Sequence, residues 1–506
     1  MFAKIIGTLL TVLLVLAALA LFWITDANRL KPELTELINS QSEYTIDLNG
    51  DLRWQLFPPL TLSAEEVVAR QDEEEIRLAR LEAKLDLSAM WRSVDAWVLR
   101  ELDIYDTILE EPGSRVEVSH LSLDDFAIGA ASPFALDLQY TDTDTESPTP
   151  MPASVAGTLT FSPQTDSTPP RYALDVTRLT TPQADGHCDV SAVETGWADE
   201  VPETRGDLLP LDTLLAYNFD AHCILTRLEY GGETFTDADL ALTNSTGKLG
   251  VEMQIRDFLG GTLDTVADID VSPKRVDWTV LPQITGVDSQ RLMTWSRQNL
   301  NWVAPLAANS TITMRGNTAE ELTRSLRAQS TFDGGQGQLD IRKLKAQLSQ
   351  IAALARQTDE VQNWPEVWDY ASFTGDWSIN GQQQALRFTL DNLSVQADGE
   401  YDYPTDALDM LAYVTITEPA EGSPYRINPI LEDTPIPVRC RGSAADPKCR
   451  LDSQATQNLI GRALTRGDDT GLRRKIEEKI DEEVPEQYRE VARDILDLLG
   501  RSLEKD

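Results

Sequence analysis

A chain of 506 residues with a formal net charge of −39 repels phosphate backbones, which excludes a nucleic-acid-binding role. At 41% hydrophobic and 7% aromatic residues it is too apolar for a disordered chain. Eleven lysines and thirty-three arginines set against eighty-three acids fit a salt-tolerant organism.

Residues 5–24, "IIGTLLTVLLVLAALALFWI", hold no charge. At about 1.5 Å per residue they span roughly the 30 Å hydrocarbon layer as a helix. A cleaved signal peptide is the competing reading, with Ala18-Leu19-Ala20 as its site. The apolar run continues past that site into Leu21-Phe22-Trp23, so a retained single-pass anchor is expected. Residues 1–4 then form a cytoplasmic stub. The segment "LKPELTELINSQ" has Pro32 near a helix start and Leu34, Leu37 and Ile38 at helical spacing, predicting a short amphipathic helix over 32–41.

In "GDLRWQLFPPLTLSA" the apolar residues fall on even numbers: Leu52, Trp54, Leu56, Leu60 and Leu62. Ile46 and Leu48 share that parity. The alternation predicts an extended strand with one apolar face, and Pro58 and Pro59 confine it to a sheet edge. Asn49-Gly50 marks a turn, and a three-residue loop pairing Leu48 with Leu52 and Ile46 with Trp54 keeps one apolar face.

Strand-like stretches recur at 135–140, 157–162, 172–179, 248–255, 265–271, 275–281, 310–316 and 385–397. In "LDMLAYVTI" the residues Leu408, Met410, Ala412, Val414 and Ile416 share one parity. Short strands separated by turn signals, without βαβ alternation, predict a mainly antiparallel β architecture. Helical insertions are expected at 210–218, 288–300 and 341–357, and after the capping box Thr318–Glu321. From Thr470 onward a helical pair broken at Pro485 closes the chain. Six segments result: 1–4, 5–24, 25–140, an acidic loop-rich middle 141–305, a β region 306–452 and carboxy-terminal helices 453–506.

No nucleotide, hydrolase or metalloprotease motif occurs, and the acids are too numerous for a carboxylate pair to carry meaning, so neither an enzyme nor a cofactor is expected. The pairs His187-Cys188 and His222-Cys223 suggest zinc. Neighbours on a strand point to opposite faces, however, so a Cys188–Cys223 disulfide is the better expectation, with no metal. Cys440 and Cys449 close a short loop around "RGSAADPK". An even cysteine count in a chain with an export signal places the bulk outside the cytoplasm.

Three stretches carry a family resemblance. The anchor, short helix and "YTIDLNGDLRWQLFPPLTLS" resemble the opening of the AsmA-like proteins of Gram-negative envelopes. The series from "LRAQSTFDGGQGQLDIRKLKAQLSQIAAL" to "ALDMLAYVTI" and the segment "IPVRCRGSAADPKCRLD" are similar to that family's carboxy-terminal region. The resemblance implies an inner-membrane-anchored periplasmic protein related to bridge-like lipid-transfer proteins. Its sheet would form an elongated, half-open, taco-like trough. Leu48, Leu52, Trp54, Leu56, Leu60, Leu62, Leu408, Met410, Val414 and Ile416 would line a groove for phospholipid acyl chains. Roughly 25 strands about 4.8 Å apart would fall short of the outer membrane and require a periplasmic or outer-membrane partner. The alternative is a non-transporting scaffold influencing outer-membrane protein or lipopolysaccharide assembly, its apolar face filled as an ordinary core.

Overall fold

The computed structural model describes residues 27–39, 45–55, 60–71, 74–85, 99–111, 114–143, 148–164, 168–197, 206–272, 275–298, 300–346, 349, 359–419, 423–426, 432–444, 447–455, 472–486, 489–490 and 492–493. The anchor at 5–24, Leu56, Pro58, Pro59 and most of the helix expected over 341–357 lie outside them. No helix among the described residues is long and apolar enough to cross a membrane. The chain forms two compact units. One comprises residues 1–205, 210–230 and 234–249; the other comprises 206–209, 231–233 and 250–506.

Alternating sequences joined by tight turns give antiparallel meanders in both units. Thr246-Gly247 and Leu259-Gly260 join successive strands with both residues at positive φ (53° and 79°; 51° and 88°), the backbone that matches strand twist in a two-residue hairpin. The stretch 385–397, expected as one strand, is two: Gln383–Leu390 and Leu393–Asp402 pair across Asp391-Asn392, with Asp391 at φ 47°. The remaining strand-like stretches fall on strands that extend beyond them, such as Ala131–Asp142 and Arg275–Asp288.

The amino-terminal unit begins with a 3-10 turn, Ala27–Leu30, and the helix Lys31–Asn39, close to its expected range. Asn39 clasps the first strand: Ile46 N donates to its Oδ1 at 2.7 Å, and its Nδ2 donates back to Ile46 O at 3.2 Å. The expected hairpin pairing Leu48 with Leu52 does not form. Instead Thr45–Leu48 and Leu52–Gln55 both pair with Leu60–Gln71, Ile46 opposite Ala69 and Trp54 opposite Leu62. The unbroken strand expected after that turn, through Leu52 to Leu62, is instead two strands, Leu52–Gln55 and Leu60–Gln71, paired antiparallel. Asn49-Gly50 is a distortion within this edge strand, where a Cβ on Gly50 would lie 2.5 Å from Glu65 O. Even numbers pair with even numbers here, so the even-parity face survives the reversal intact. The meander continues through Glu74–Leu85, Leu99–Glu111, Ser114–Phe126, Ala131–Asp142, Met151–Ser162, Arg171–Thr180, Ala184–Glu194, Tyr217–Tyr230 and Ala238–Ser245.

The carboxy-terminal unit runs from Lys248–Phe258 to Lys448–Leu451 in the same manner. Its helices include Ser289–Trp295, shorter than the expected 288–300, and Ala319–Ser325, whose capping box forms as read: Thr318 accepts from Glu321 N while the Glu321 side chain accepts from Thr318 N. The helix Leu472–Glu483 follows. A small sheet of Trp302–Val303, Gly337–Asp340 and Val367–Tyr370 accompanies the main one. With it pack Ile341, Val361 and Trp364, sealing Phe373, Leu390, Leu393, Val414 and Ile416 into a core. Trp368 stacks on Tyr425 at 3.9 Å between ring centroids, and its Nε1 donates to Asp391 Oδ2 at 3.1 Å.

Candidate functional site

In the amino-terminal unit the strand registers line up side chains into rows that run across the sheet. One row reads Leu52, Ala64, Leu81, Ile104, Leu121, Leu136, Val155, Leu179, Gly186, Leu225, Ala238. The row beside it reads Trp54, Leu62, Ala83, Leu102, Leu123, Phe134, Gly157, Val176, Cys188, Cys223, Leu240. On ten strands the two row members are two apart and share a face, and on Arg171–Thr180 a register shift brings Val176 and Leu179 into the same two rows, so the rows form one apolar stripe over eleven strands, about 50 Å at the usual strand spacing. The single polar side-chain atom with a hydrogen to donate outside sulfur is Trp54 Nε1, which is buried and has no hydrogen-bond partner among the described residues.

Local backbone keeps the stripe continuous. Glu66 (φ 49°) and Asp106 (φ 47°) take left-handed backbone, and the register shifts between Val118 and His120. After Glu66 the apolar positions change from Leu62 and Ala64 to Val67 and Ala69, so both segments still face the same way. At Gly157 a Cβ would lie 1.9 Å from Asp175 O, a crossing that only glycine permits.

Among the described residues the stripe is fully buried only towards its two ends, with Cys188 already buried near the second. Leu52 and Ala64 are buried with Ala27 of the 3-10 turn, and Asn28 Oδ1 accepts from Leu52 N at 2.9 Å. Ala238 is buried at the other end. Between them Leu81, Ile104, Leu121, Leu136, Val155 and Leu179 are half-buried, as are Leu102, Leu123, Phe134 and Val176. Two rows beyond Val176, the Tyr172 hydroxyl donates to Glu194 Oε1 at 2.7 Å; that bond and burial push its pKa up to about 12, so it stays a neutral donor.

The opposite face carries charge in cross-strand pairs, such as Lys84 with Glu101 and Arg227 with Asp185, both at 2.6 Å. His120 Nε2 lies 2.9 Å from Asp103 Oδ1 and its ring stacks on Tyr105. Both expected disulfides are present, Cys188–Cys223 and Cys440–Cys449. Cys188 and Cys223 face the stripe, whereas His222 bonds Asp239 Oδ1 at 2.8 Å on the other side. No group of three or more metal-ligating side chains occurs among the described residues.

Of the residues singled out in the sequence, Leu52, Trp54 and Leu62 stand in these rows, and Leu48 stands in a parallel row opposite Val67. Leu60 is on the next strand, with Leu85 opposite it. In the carboxy-terminal unit Leu408 and Met410 are half-buried, while Val414 and Ile416 lie inside the sealed core. The middle members from Leu81 to Leu240, apart from the disulfide pair Cys188–Cys223, were not singled out in the sequence. Their signal was present as two-residue alternation in "LRELDIYD" and "SHLSLDD", but it is too short to count before each change of phase.

No curated protein matches the chain. The model of the AsmA family matches residues 1–125, which hold the helix, the edge strands and both rows as far as Leu121 and Leu123. The amino-terminal quarter of this chain is thus similar to the AsmA family.

Proposed function

We propose that this chain is an envelope protein of the AsmA family that holds phospholipid acyl chains along the apolar stripe and lets them pass from strand to strand. Residues 5–24 anchor it in the inner membrane, and the bulk of the chain lies in the periplasm. The observation that carries this reading is the stripe itself, apolar over eleven strands and only half-buried along its middle among the described residues. Acyl chains bind such a surface at about 0.8 kcal/mol per methylene without a specific pocket, so many equivalent positions allow sliding without a crossing through water. Two disulfides suit an oxidising compartment.

Photo-crosslinking in cells tests the proposal, with the probe placed at Leu123 and, separately, at Ser122. These neighbours differ in facing but not in location. Phospholipid adducts at Leu123 and none at Ser122 support transfer. Protein-only adducts at Leu123 favour the scaffold reading, for which the sealed core around Trp368 is the supporting observation.

A further inference from the structure

A second site lies on the hydrophilic face of the carboxy-terminal unit. A depression of about 520 Å³ is lined by Arg275, Asp277, Arg315, Arg324, Arg327 and Asn380. It shares Thr313, Arg327 and Asn380 with a neighbouring depression of about 680 Å³, whose lining adds Thr311, Gln329, Ser378 and Gln383. The two are one groove with two chemistries. Thr313, Arg327, Asn380 and Gln383 stand opposite one another on successive strands, and Thr311, Gln329 and Ser378 form the adjacent row. Side chains alternate, so this polar face is the reverse of the one that carries Ile312, Ala328 and Ile379.

Charge makes the arginine end unusual in a chain of net charge −39. Four arginines lie near Asp277 and Glu320, while at the amide end Asp398 lines the groove and Gln383 Nε2 donates to Glu400 Oε1 at 2.7 Å. Asp277 lies 2.6 Å from Arg275 and 3.2 Å from Arg315, and Glu320 pairs with Arg324. Arg327 is exposed and makes no ion pair among the described residues. Guanidinium groups bind phosphate or carboxylate with two parallel hydrogen bonds. Amides and hydroxyls in rows both donate and accept, which is what sugar hydroxyls require.

We propose that this groove binds an anionic saccharide, its phosphate or carboxylate held at Arg315 and Arg327 and its hydroxyls along Gln329, Asn380 and Gln383. The site is independent of the acyl-binding reading, because it uses neither the apolar stripe nor its unit. The ligand is either soluble or the head of a glycolipid, and the chemistry at the groove is the same.

The test is isothermal titration of the full chain in detergent at low salt. The probes are a glucosamine disaccharide bearing two phosphates, bare and acylated, with the unphosphorylated disaccharide and inorganic phosphate for comparison. The bare phosphorylated disaccharide is expected to bind more tightly than either comparison compound. Arg327→Gln and Arg315→Gln, both at exposed side chains, each weaken it about tenfold with unchanged thermal unfolding. Gln329→Ala and Gln383→Ala weaken the disaccharide and leave inorganic phosphate unaffected. Equal affinity of bare and acylated forms assigns a soluble ligand. Tighter binding of the acylated form, with a gain that survives Arg327→Gln, assigns a lipid-borne one. Absence of binding, or inorganic phosphate binding as well as the disaccharide with no effect of the glutamine variants, overturns the proposal.

Discussion

Replacing Leu121 by glutamate places one charge in the middle of the apolar stripe, between Ile104 and Leu136. Leu121 is half-buried, so the carboxylate reaches water by a small rotation, and the stability cost is expected to stay below about 1 kcal/mol. The effect on an acyl chain is larger. A tail lying along the row passes roughly four methylenes per strand spacing, each worth about 0.8 kcal/mol when removed from water. Losing one strand's worth of contact costs about 3 kcal/mol, or on the order of a hundredfold in affinity. Displacement of a fluorescent fatty-acid probe from purified, delipidated protein measures the affinity, and urea unfolding measures the stability. Ser122→Glu, one residue away on the charged face, is the matched comparison and should change neither. Unchanged probe affinity in Leu121→Glu refutes the argument. So does a stability loss of core magnitude, because it would mean that the stripe is packed against protein.

Three further outcomes follow from the geometry. Trp368→Ala removes a fully buried ring that stacks on Tyr425, and it should cost about 3–5 kcal/mol in urea unfolding monitored by circular dichroism; a loss under about 1 kcal/mol contradicts the sealed core. Replacing Cys188 and Cys223 by alanine opens a 35-residue link, and replacing Cys440 and Cys449 opens one of 9, so loop entropy predicts losses of about 4 and about 3 kcal/mol. The reverse order of losses rejects that account. Asp409 is held below its ordinary carboxylate pKa by its hydrogen bond to Arg439 at 2.7 Å and then by Arg441. A carboxylate depressed in the folded state contributes stability above its unfolded pKa, and that contribution fades as pH falls below about 4. Asp409→Asn should therefore flatten the acid limb of the stability profile and leave its slope near neutrality unchanged.

The alternation around Trp54 revealed the apolar face but not its reach. Parity counting from Ile46 to Leu62 picks the right face on both sides of the reversal, because Leu52 pairs with Ala64 and Trp54 with Leu62. The same even pairing hid the reversal, since a straight strand and a folded one present identical parity. Farther on, Glu66 and Asp106 shift the phase by one residue, and "EEIRLARLEAKL" is built from strong helix formers although it is a strand. Strand partners decided these segments, and partners separated by long stretches of sequence leave no local mark. The disulfides were legible because cysteine chemistry is sparse: four residues admit few pairings. The groove around Arg327 was not, since its arginines come from four separate strands or helices whose register no single segment encodes.

The two units treat similar apolar faces in opposite ways, and the energetic difference bears on function. In the carboxy-terminal unit Trp364, Trp368 and Tyr425 close the face, and Leu390, Leu393 and Ile416 reach near-zero exposure. In the amino-terminal unit fourteen large side chains, seven in each row, remain half-buried. Full burial of such a side chain is worth about 1.5–3 kcal/mol, so leaving these side chains half-buried forgoes on the order of 10 kcal/mol, comparable to the whole stability of a domain. A fold selected for rigidity alone would cover the stripe as the other unit does. An acyl ligand returns that free energy upon binding, and a ligand that binds only the native state raises the unfolding temperature by mass action. Titrating short-chain phospholipid below its micellar concentration should raise the unfolding midpoint of the wild type, and Leu121→Glu should blunt the rise. Hydrogen exchange locates the effect: added protection should fall on the strands Leu99–Glu111 and Ser114–Phe126 and leave Leu393–Asp402 unchanged. Equal protection in both regions, or none, would remove the energetic case for an open lipid-binding stripe.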